Sequence, residues 1–302
     1  MPAPQKGQRL LDSAFLASLE TLDVYLRSAL RSRLAGSRRS QAFGGAADFA
    51  DHREYQPGDD IRRIDWNLAG RTGQLFIKRF LDERKQNLRI YIDTSASMLG
   101  APDTGKALAA LRVAAALAYL AVGAMDQVTF LLLEGENCCP LCGTVNGRAS
   151  LFSALEQLEK IAFFGNCDLL AAVTSDPAPG LGDGLSVIVS DFLTDSDWQG
   201  AVDFLLSRGR ETALARVLAP GEESPAYRGP QALLDAEDKT LPPLRLEADR
   251  EALKAYTQAV DWFSSEMERF CASRQTPLLC LRSDEPVDKA LIQRGFSVGL
   301  IR

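Results

Sequence analysis

The sequence predicts an α/β protein: a doubly wound, mostly parallel sheet with a smaller N-terminal helix-plus-strand module. From Leu88 onward, apolar runs of strand length alternate with helical patterns, the order expected of parallel strands joined by crossover helices. Ahead of that alternation stand one long amphipathic helix and one strand-like run. The first strand of the alternating part ends in Asp93-Thr94-Ser95-Ala96-Ser97, which puts a carboxylate and two hydroxyls at a strand's C-terminal tip, where open α/β sheets bind ligands. A chain of 302 residues can bury one full α/β core and carry an appendage, so the two parts are expected at residues 1–85 and 86–302.

Each element has its own signal. Leu11, Phe15, Leu19, Leu22 and Leu26 recur at helical spacing within Leu10–Leu34 and mark one apolar face. Gly36–Gly45, rich in Ser, Arg and Gly, looks like a flexible link, and Gly58-Asp59-Asp60 after Pro57 is a turn signal. Leu75–Leu81 suits a strand running into the charged turn Asp82–Lys85. Then come a strand to Ile92, a helix over about Gly105–Ala124 with Asp103-Thr104 as its start signal, and a strand over Val128–Leu133. After an irregular Cys-rich stretch, helices are expected over Ser150–Ile161 and from Leu169, then a strand to Val189. A helix near Trp198–Ser207, a strand over Thr212–Leu218, a hairpin around Asp238, a helix over Glu247–Cys271 and a strand over Pro277–Leu281 complete the pattern. There is no internal repeat and no low-complexity tract.

Composition narrows the class. Hydrophobic residues at 46% and charged residues at 25% are ordinary for a soluble protein. The Ala- and Leu-rich run Ala107–Gly123 holds Arg112 and is too short for a convincing membrane span. Met1–Gly7 is polar, and Asp12, Glu20, Asp23 and Arg27 interrupt the next stretch, so no signal-peptide pattern is seen and a cytoplasmic location is expected. Residues 1–90 carry 16 Lys and Arg against 11 Asp and Glu, whereas the remainder carry 18 against 29. The basic cluster Arg31, Arg33, Arg38 and Arg39 reads as a solvated helix end. No aromatic side chains interleave with it to stack on bases, so no nucleic-acid partner is expected. Six cysteines in such a chain do not suggest a disulfide framework, and Cys139-Pro140-Leu141-Cys142 lacks both the helix N-terminus of a redox pair and the second half of a zinc site. His52, the sole histidine, reads as structural or solvent-facing.

The chemistry gathers at Asp93. Carboxylate and hydroxyl oxygens are hard donors suited to Mg²⁺ or Mn²⁺, and alternate residues of a tight loop can converge on one point. The Asp93-x-Ser95-x-Ser97 pattern closing an apolar strand resembles the metal-ion-dependent adhesion site of von Willebrand factor A-type domains. Leu185–Val189 followed by Ser190-Asp191 looks like that family's third loop, with Asp191 as the second carboxylate. Gly165-Asn166-Cys167-Asp168 stands where the second loop should be, with Cys167 in the place of a threonine. A thiol is a poor Mg²⁺ ligand, so either water or Asp168 would replace the missing hydroxyl. The resemblance implies an ion held by Ser95 and Ser97 hydroxyls, with Asp93 and Asp191 bound directly or through water. One position is left for an acidic side chain of a partner.

A longer run narrows the resemblance. Arg53-Glu54-Tyr55-Gln56-Pro57-Gly58-Asp59-Asp60-Ile61-Arg62-Arg63-Ile64-Asp65-Trp66, followed by Ala69-Gly70-Arg71-Thr72-Gly73, is similar to the bacterial family known as domain of unknown function 58. The likeness continues more weakly through Leu234-Asp235-Ala236-Glu237 and the last helix. It implies a von Willebrand factor A-like domain and an adaptor role beside a MoxR-type AAA+ ATPase. Within the run, Ile61, Ile64 and Trp66 are expected to anchor the segment. Asp59, Asp60, Arg62, Arg63 and Asp65 would form a salt-bridged network or a docking surface.

Three function classes follow. The first is a non-catalytic module that binds a divalent ion and a protein partner. The second is a structural scaffold whose metal site has decayed, with Cys167 as the mark of loss. The third is a Mg²⁺-dependent phosphohydrolase of the haloacid dehalogenase type, with Asp93 as nucleophile and Asp191 with Asp195 as its acidic pair. That chemistry needs an aspartic acid two residues after the nucleophile, where this chain has Ser95. No nucleophile elbow, phosphate-binding loop or dinucleotide fingerprint is present.

Overall fold

The computed structural model describes residues 9–36, 49–56, 59, 61, 64–80, 86–101, 104–179, 184–295 and 297–300. In chain order its elements are α1 (Ser13–Gly36), β1 (Phe49–Glu54), α2 (Trp66–Thr72), β2 (Phe76–Phe80), β3 (Asn87–Asp93), α3 (Lys106–Gly123), β4 (Gln127–Glu134) and β5 (Asn137–Pro140). They continue with α4 (Arg148–Leu158), α5 (Leu169–Thr174), β6 (Leu185–Ser190), α6 (Trp198–Ser207), β7 (Glu211–Leu218) and α7 (Pro220–Glu223). The last are β8 (Gly229–Leu233), β9 (Leu244–Ala248), α8 (Arg250–Ser273), β10 (Leu278–Arg282) and α9 (Val287–Ala290), the latter running into a π turn. The chain divides into two units, Met1–Ser28 with Gln86–Arg302 and Ala29–Lys85.

The larger unit is built on a six-stranded sheet in the order β10-β7-β6-β3-β4-β5. All neighbouring pairs are parallel except β4 with β5. Side chains alternate across β3, and both faces are covered. Leu88, Ile90 and Ile92 pack in one core with α1, α3 and α4, while Tyr91 packs in the other with α5, α6 and part of α8. The alanine-rich face of α3 (Ala109, Ala110, Val113, Ala114) is fully or almost fully buried, because small side chains let the helix lie close to the sheet. By length and apolar composition α3 would suffice to cross a membrane, and 67% of it is buried in this core.

The first half of α1 belongs with the sheet and not with a separate N-terminal module as residues 1–85 would suggest. Leu10, Phe15, Leu19 and Leu22 sink into the α3 side of the core, Arg112 pairs with Asp12 at 2.6 Å, and the Leu10 N–H donates to Glu159. An amphipathic helix must bury its apolar stripe, and the nearest large apolar surface is the sheet layer.

The smaller unit pairs β1 with β2 in an antiparallel ribbon, with Arg53 opposite Ile77 and His52 opposite Lys78. Neither β1 nor α2 has a signal in the sequence. Asp51-His52-Arg53-Glu54 has no apolar alternation to announce a strand, so long-range pairing decides its state. Of the expected anchors only Ile64 is buried, bridging to Ile77, whereas Ile61 and Trp66 are 62% and 66% exposed. Trp66 instead opens α2, which Asp65 caps by accepting the N–H groups of Asn67 and Leu68. Arg53 grips Asp59 through both carboxylate oxygens, at 2.7 and 2.9 Å. Asp60, Arg62, Arg63, Arg38, Arg39 and the Gly36–Gly45 link beyond Gly36 lie outside the described residues, as do the side chains of Arg31 and Arg33.

Two expectations in the larger unit are corrected. The Cys-rich stretch is the edge strand β5, with Cys138 opposite Leu133 and Pro140 at its end, a position edge strands tolerate. Its cysteines are free, and burial raises the Cys138 thiol to about 12. Helix α3 starts at Lys106 behind Gly105, whose φ of 65° needs glycine, and no side chain caps it. Asp103 lies outside the described residues.

Beneath β3, Arg89 reaches Asp176 at 2.5 Å, and the Tyr91 hydroxyl donates to the same carboxylate at 2.8 Å, all three buried. Replacing Asp176 with alanine leaves an uncompensated buried guanidinium. It is expected to cost about 3–5 kcal/mol in urea unfolding, with Asp176→Asn losing less.

Candidate metal centre

In the sheet order, the chain leaves β3 on one side toward β4, while β6 and its successors lie on the other side. The crevice between β3 and β6 is therefore a switch point. Parallel pairing sets Ile92 beside Val189, so the residues that follow, Asp93 and Ser190-Asp191, emerge side by side. Ser190 Oγ donates to Asp93 Oδ2 at 2.6 Å, and the Ser95 N–H donates to Asp93 Oδ1 at 2.9 Å. Ser95 and Ser97 bring their hydroxyl oxygens within 2.9 Å of each other. Thr94, between Asp93 and Ser95, turns away and donates to the Leu133 carbonyl at 2.7 Å. This is the alternation that a converging donor loop requires. Ser95 stands at the start of a 3₁₀ turn over Ala96–Leu99 without capping it through its side chain, so its hydroxyl is not committed to the backbone.

The second loop is tied to the first by backbone bonds, Phe164 N–H to Thr94 O at 2.9 Å and Ala96 N–H to Gly165 O at 2.9 Å. Its side chains do other work. Cys167 is 5% exposed, and burial holds its thiol well above the ordinary value, an effect that Asp93, Glu237, Asp168 and Asp191 reinforce. A neutral thiol is not a ligand for a hard cation. Asp168 caps α5, its Oδ1 accepting from the Ala171 N–H at 3.0 Å. The structure thus brings together Asp93, Ser95, Ser97 and Asp191, and commits Asp168 to a helix end.

The third loop carries a feature that its own sequence does not announce. Asp191 Oδ1 accepts from the Leu193 N–H at 2.8 Å, and its Oδ2 accepts from Lys106 Nζ at 2.6 Å. Lys106 is wholly buried, and its ammonium also reaches Glu222 Oε1 at 2.7 Å and the Ser97 carbonyl at 3.2 Å. Glu222 in turn accepts from the Ala219 N–H at 2.8 Å, and Arg216 Nε donates to the Asp191 carbonyl at 3.3 Å. The clue in the sequence was spacing: Lys106 shares helical register with Ala109, Ala110 and Val113, so a charge sits on a core-facing stripe.

Glu237, in the turn between β8 and β9, approaches the same loops. Asp235 shapes that turn by accepting the N–H groups of Glu237 and Asp238, each at 2.8 Å. Glu237 is half-buried, while the flanking Leu234 and Leu241 are 74% and 50% exposed. Burial raises its carboxyl; the Ser97 hydroxyl beside it opposes that rise, and Asp93, Asp191 and Asp235 add to it. Asp93 is likewise raised, by burial first and by Asp191 last, against the pull of its Ser190 and Ser95 hydrogen bonds.

Fold and site together define a doubly wound α/β protein with an oxygen-lined crevice at its switch point. Residues 51–261 match the family described as Protein of unknown function DUF58, and the chain belongs to that family. Uncharacterized proteins of Mycobacterium bovis and Mycobacterium tuberculosis are 25% identical to it over 276 residues, covering 90% of this chain and 86% of theirs. Among solved structures it is similar to BatB of Bacteroides thetaiotaomicron at 15% identity and TM-score 0.40, covering 71% of this chain and 99% of that one. An aerotolerance-related membrane protein of Bacteroides fragilis gives 16% identity and 0.40 over the same shares. A von Willebrand factor type A protein of Catenulispora acidiphila gives 13% and 0.33, over 47% of this chain and 35% of that one.

The donor set can be tested against a divalent ion on its chemistry. Among the described residues no group of three His, Cys, Asp or Glu side chains is placed to hold a metal. The crevice offers instead two clustered hydroxyls beside one carboxylate, donors that suit a small hard cation retaining several waters. If Asp93 serves an ion more than the fold, its charge is dispensable to folding in chelator. Asp93→Asn is then expected to leave urea stability unchanged or higher, whereas Ser190→Ala, which strips a donor from a buried carboxylate, should cost about 1–3 kcal/mol. A loss in Asp93→Asn as large as in Ser190→Ala would make the Asp93 charge structural.

Proposed function

We propose that this protein is a non-catalytic, cytoplasmic interaction module of von Willebrand factor A-like architecture. A Mg²⁺ or Mn²⁺ ion at Asp93, Ser95 and Ser97 would link it to an acidic side chain of a protein partner. The observation that carries this reading is the convergence of the two serine hydroxyls beside a buried carboxylate, with Thr94 turned away. Ser95, Ser97 and Asp93 would hold the ion, and neutral hydroxyl donors would leave it electron-poor toward an incoming carboxylate. By the resemblance in the sequence, the partner is a MoxR-type AAA+ ATPase, with assembly or remodelling of protein complexes as the task.

The scaffold reading has two observations in its favour, the ammonium of Lys106 on Asp191 and the buried thiol of Cys167 in the second loop. The phosphohydrolase reading has none: Asp195 is exposed, and Ser95 stands where the acid should be.

An ion that binds only the folded protein stabilises it by about 2.7 kcal/mol at about 100 times its Kd. Mg²⁺ is expected to raise the melting temperature of the wild type and not of Asp93→Ala. The immobilised protein should capture the ATPase from the source lysate in Mg²⁺, and lose it in chelator or with Asp93→Ala. Melting indifferent to Mg²⁺ would leave the scaffold reading. Capture indifferent to both ion and mutation would move the contact to another surface.

A further inference from the structure

Asp191, the second carboxylate that an ion at this crevice would use, already carries a cation. Lys106 Nζ lies 2.6 Å from its Oδ2, and the lysine side chain has no exposed surface. A buried ammonium is costly unless paired, and this one has two acids and a carbonyl: Asp191, Glu222 at 2.7 Å and Ser97 O at 3.2 Å. Three acceptors match the three protons of an ammonium. Glu222 has its own anchor in the Ala219 N–H, so the lysine can lose Asp191 and still face a fixed carboxylate.

We propose that Lys106 is the tethered counter-cation of this site. A divalent ion enters by taking Asp191 from it, and the ammonium falls back on Glu222 and the Ser97 carbonyl. The inference rests on the reading that an ion binds at Asp93, Ser95 and Ser97. Asp191 is then a conditional ligand, and ion affinity is the difference between what the ion and the ammonium each gain from it. Lys106 keeps the crevice assembled without metal, because its three acceptors belong to the first loop, the third loop and α7. Ion entry is thereby coupled to α7, and through the 2.8 Å bond from the Tyr256 hydroxyl to the Glu222 carbonyl, to α8.

Competition predicts effects of opposite sign at the two ends of the Lys106 contact. Mn²⁺ binding, followed by loss of the free-ion paramagnetic signal, is expected to tighten about tenfold or more in Lys106→Met, a change of about 1.4 kcal/mol. It should weaken in Glu222→Gln, where the ammonium has only Asp191 as a charged partner. The double variant Lys106→Met/Glu222→Gln removes both charges, guards against a misfolded single variant, and should bind more tightly than Glu222→Gln alone. Adding Asp93→Ala to Lys106→Met should abolish the binding. If the wild type binds Mn²⁺ and Lys106→Met binds it equally or more weakly, Lys106 positions Asp191 instead of competing for it, and the proposal falls while the ion-binding reading stands. If neither protein takes up Mn²⁺, both fall.

Discussion

The side-by-side pairing of β3 with β6 is the constraint on which the rest of the structure depends. Neither strand holds a complete site: β3 delivers Asp93 and the two serine hydroxyls, and β6 delivers Ser190 and Asp191. Only parallel pairing in the register Ile92 to Val189 sets Ser190 Oγ 2.6 Å from Asp93. A shift of one residue would turn Asp93 to the opposite face of the sheet. The register is held by burial on both faces, because Ile90 and Ile92 on one side and Tyr91 on the other each have an apolar layer to fill. The Arg89–Tyr91–Asp176 contact sits on the Asp93 side of the same strand and ties it to the end of α5. Packing thus fixes the geometry of a polar crevice that could not fix itself.

Charge is the second constraint. Asp93, Asp191 and Glu222 gather at the C-terminal end of the sheet, and two buried cations, Lys106 and Arg216, stand among them. Burial lowers the Arg216 guanidinium from its ordinary value, and the neighbouring Cys280, Asp191, Glu223 and Glu222 pull it back up. In a low-dielectric setting the Lys106 pairs with Asp191 and Glu222 are strong but desolvated, so the net stabilisation is small and the geometric specificity large. Opposed charges that satisfy one another also leave the loops assembled with no ligand present, which makes the crevice preorganised.

How much of this could be read from the chain follows from how local each signal is. Asp93, Ser95 and Ser97 sit within five residues at the end of an apolar strand, and Asp191 closes another, so motif and strand pattern sufficed. The alternation of strands and helices from β3 to β10, the edge strand β5 excepted, was legible for the same reason, as was the β8–β9 hairpin. Lys106 and Glu222 are 116 positions apart and meet only through the fold, and their roles were invisible. Asp168 looked like a spare ligand because a carboxylate beside Cys167 reads the same whether it faces an ion or caps a helix. Only the Ala171 N–H decides it. β1 was missed because its residues are charged, and Trp66 was misplaced as an anchor because an aromatic in a motif suggests burial that the ribbon does not provide.

The crevice also holds, from within the chain, a stand-in for the ion it is proposed to bind: Lys106 supplies a cation on Asp191. Recruitment of an ion and an acidic partner, as proposed, would therefore be an exchange of contacts at Asp191, and an exchange lowers affinity by the strength of what it displaces. It also links the two events. While Lys106 neutralises Asp191, the crevice would offer an incoming acid less positive charge than a divalent ion would. By linkage, whatever a partner gains from the ion, the ion gains from the partner. An ion site of this kind, as proposed, would suit a module that must engage and release, because neither the metal nor the acid alone would hold the complex.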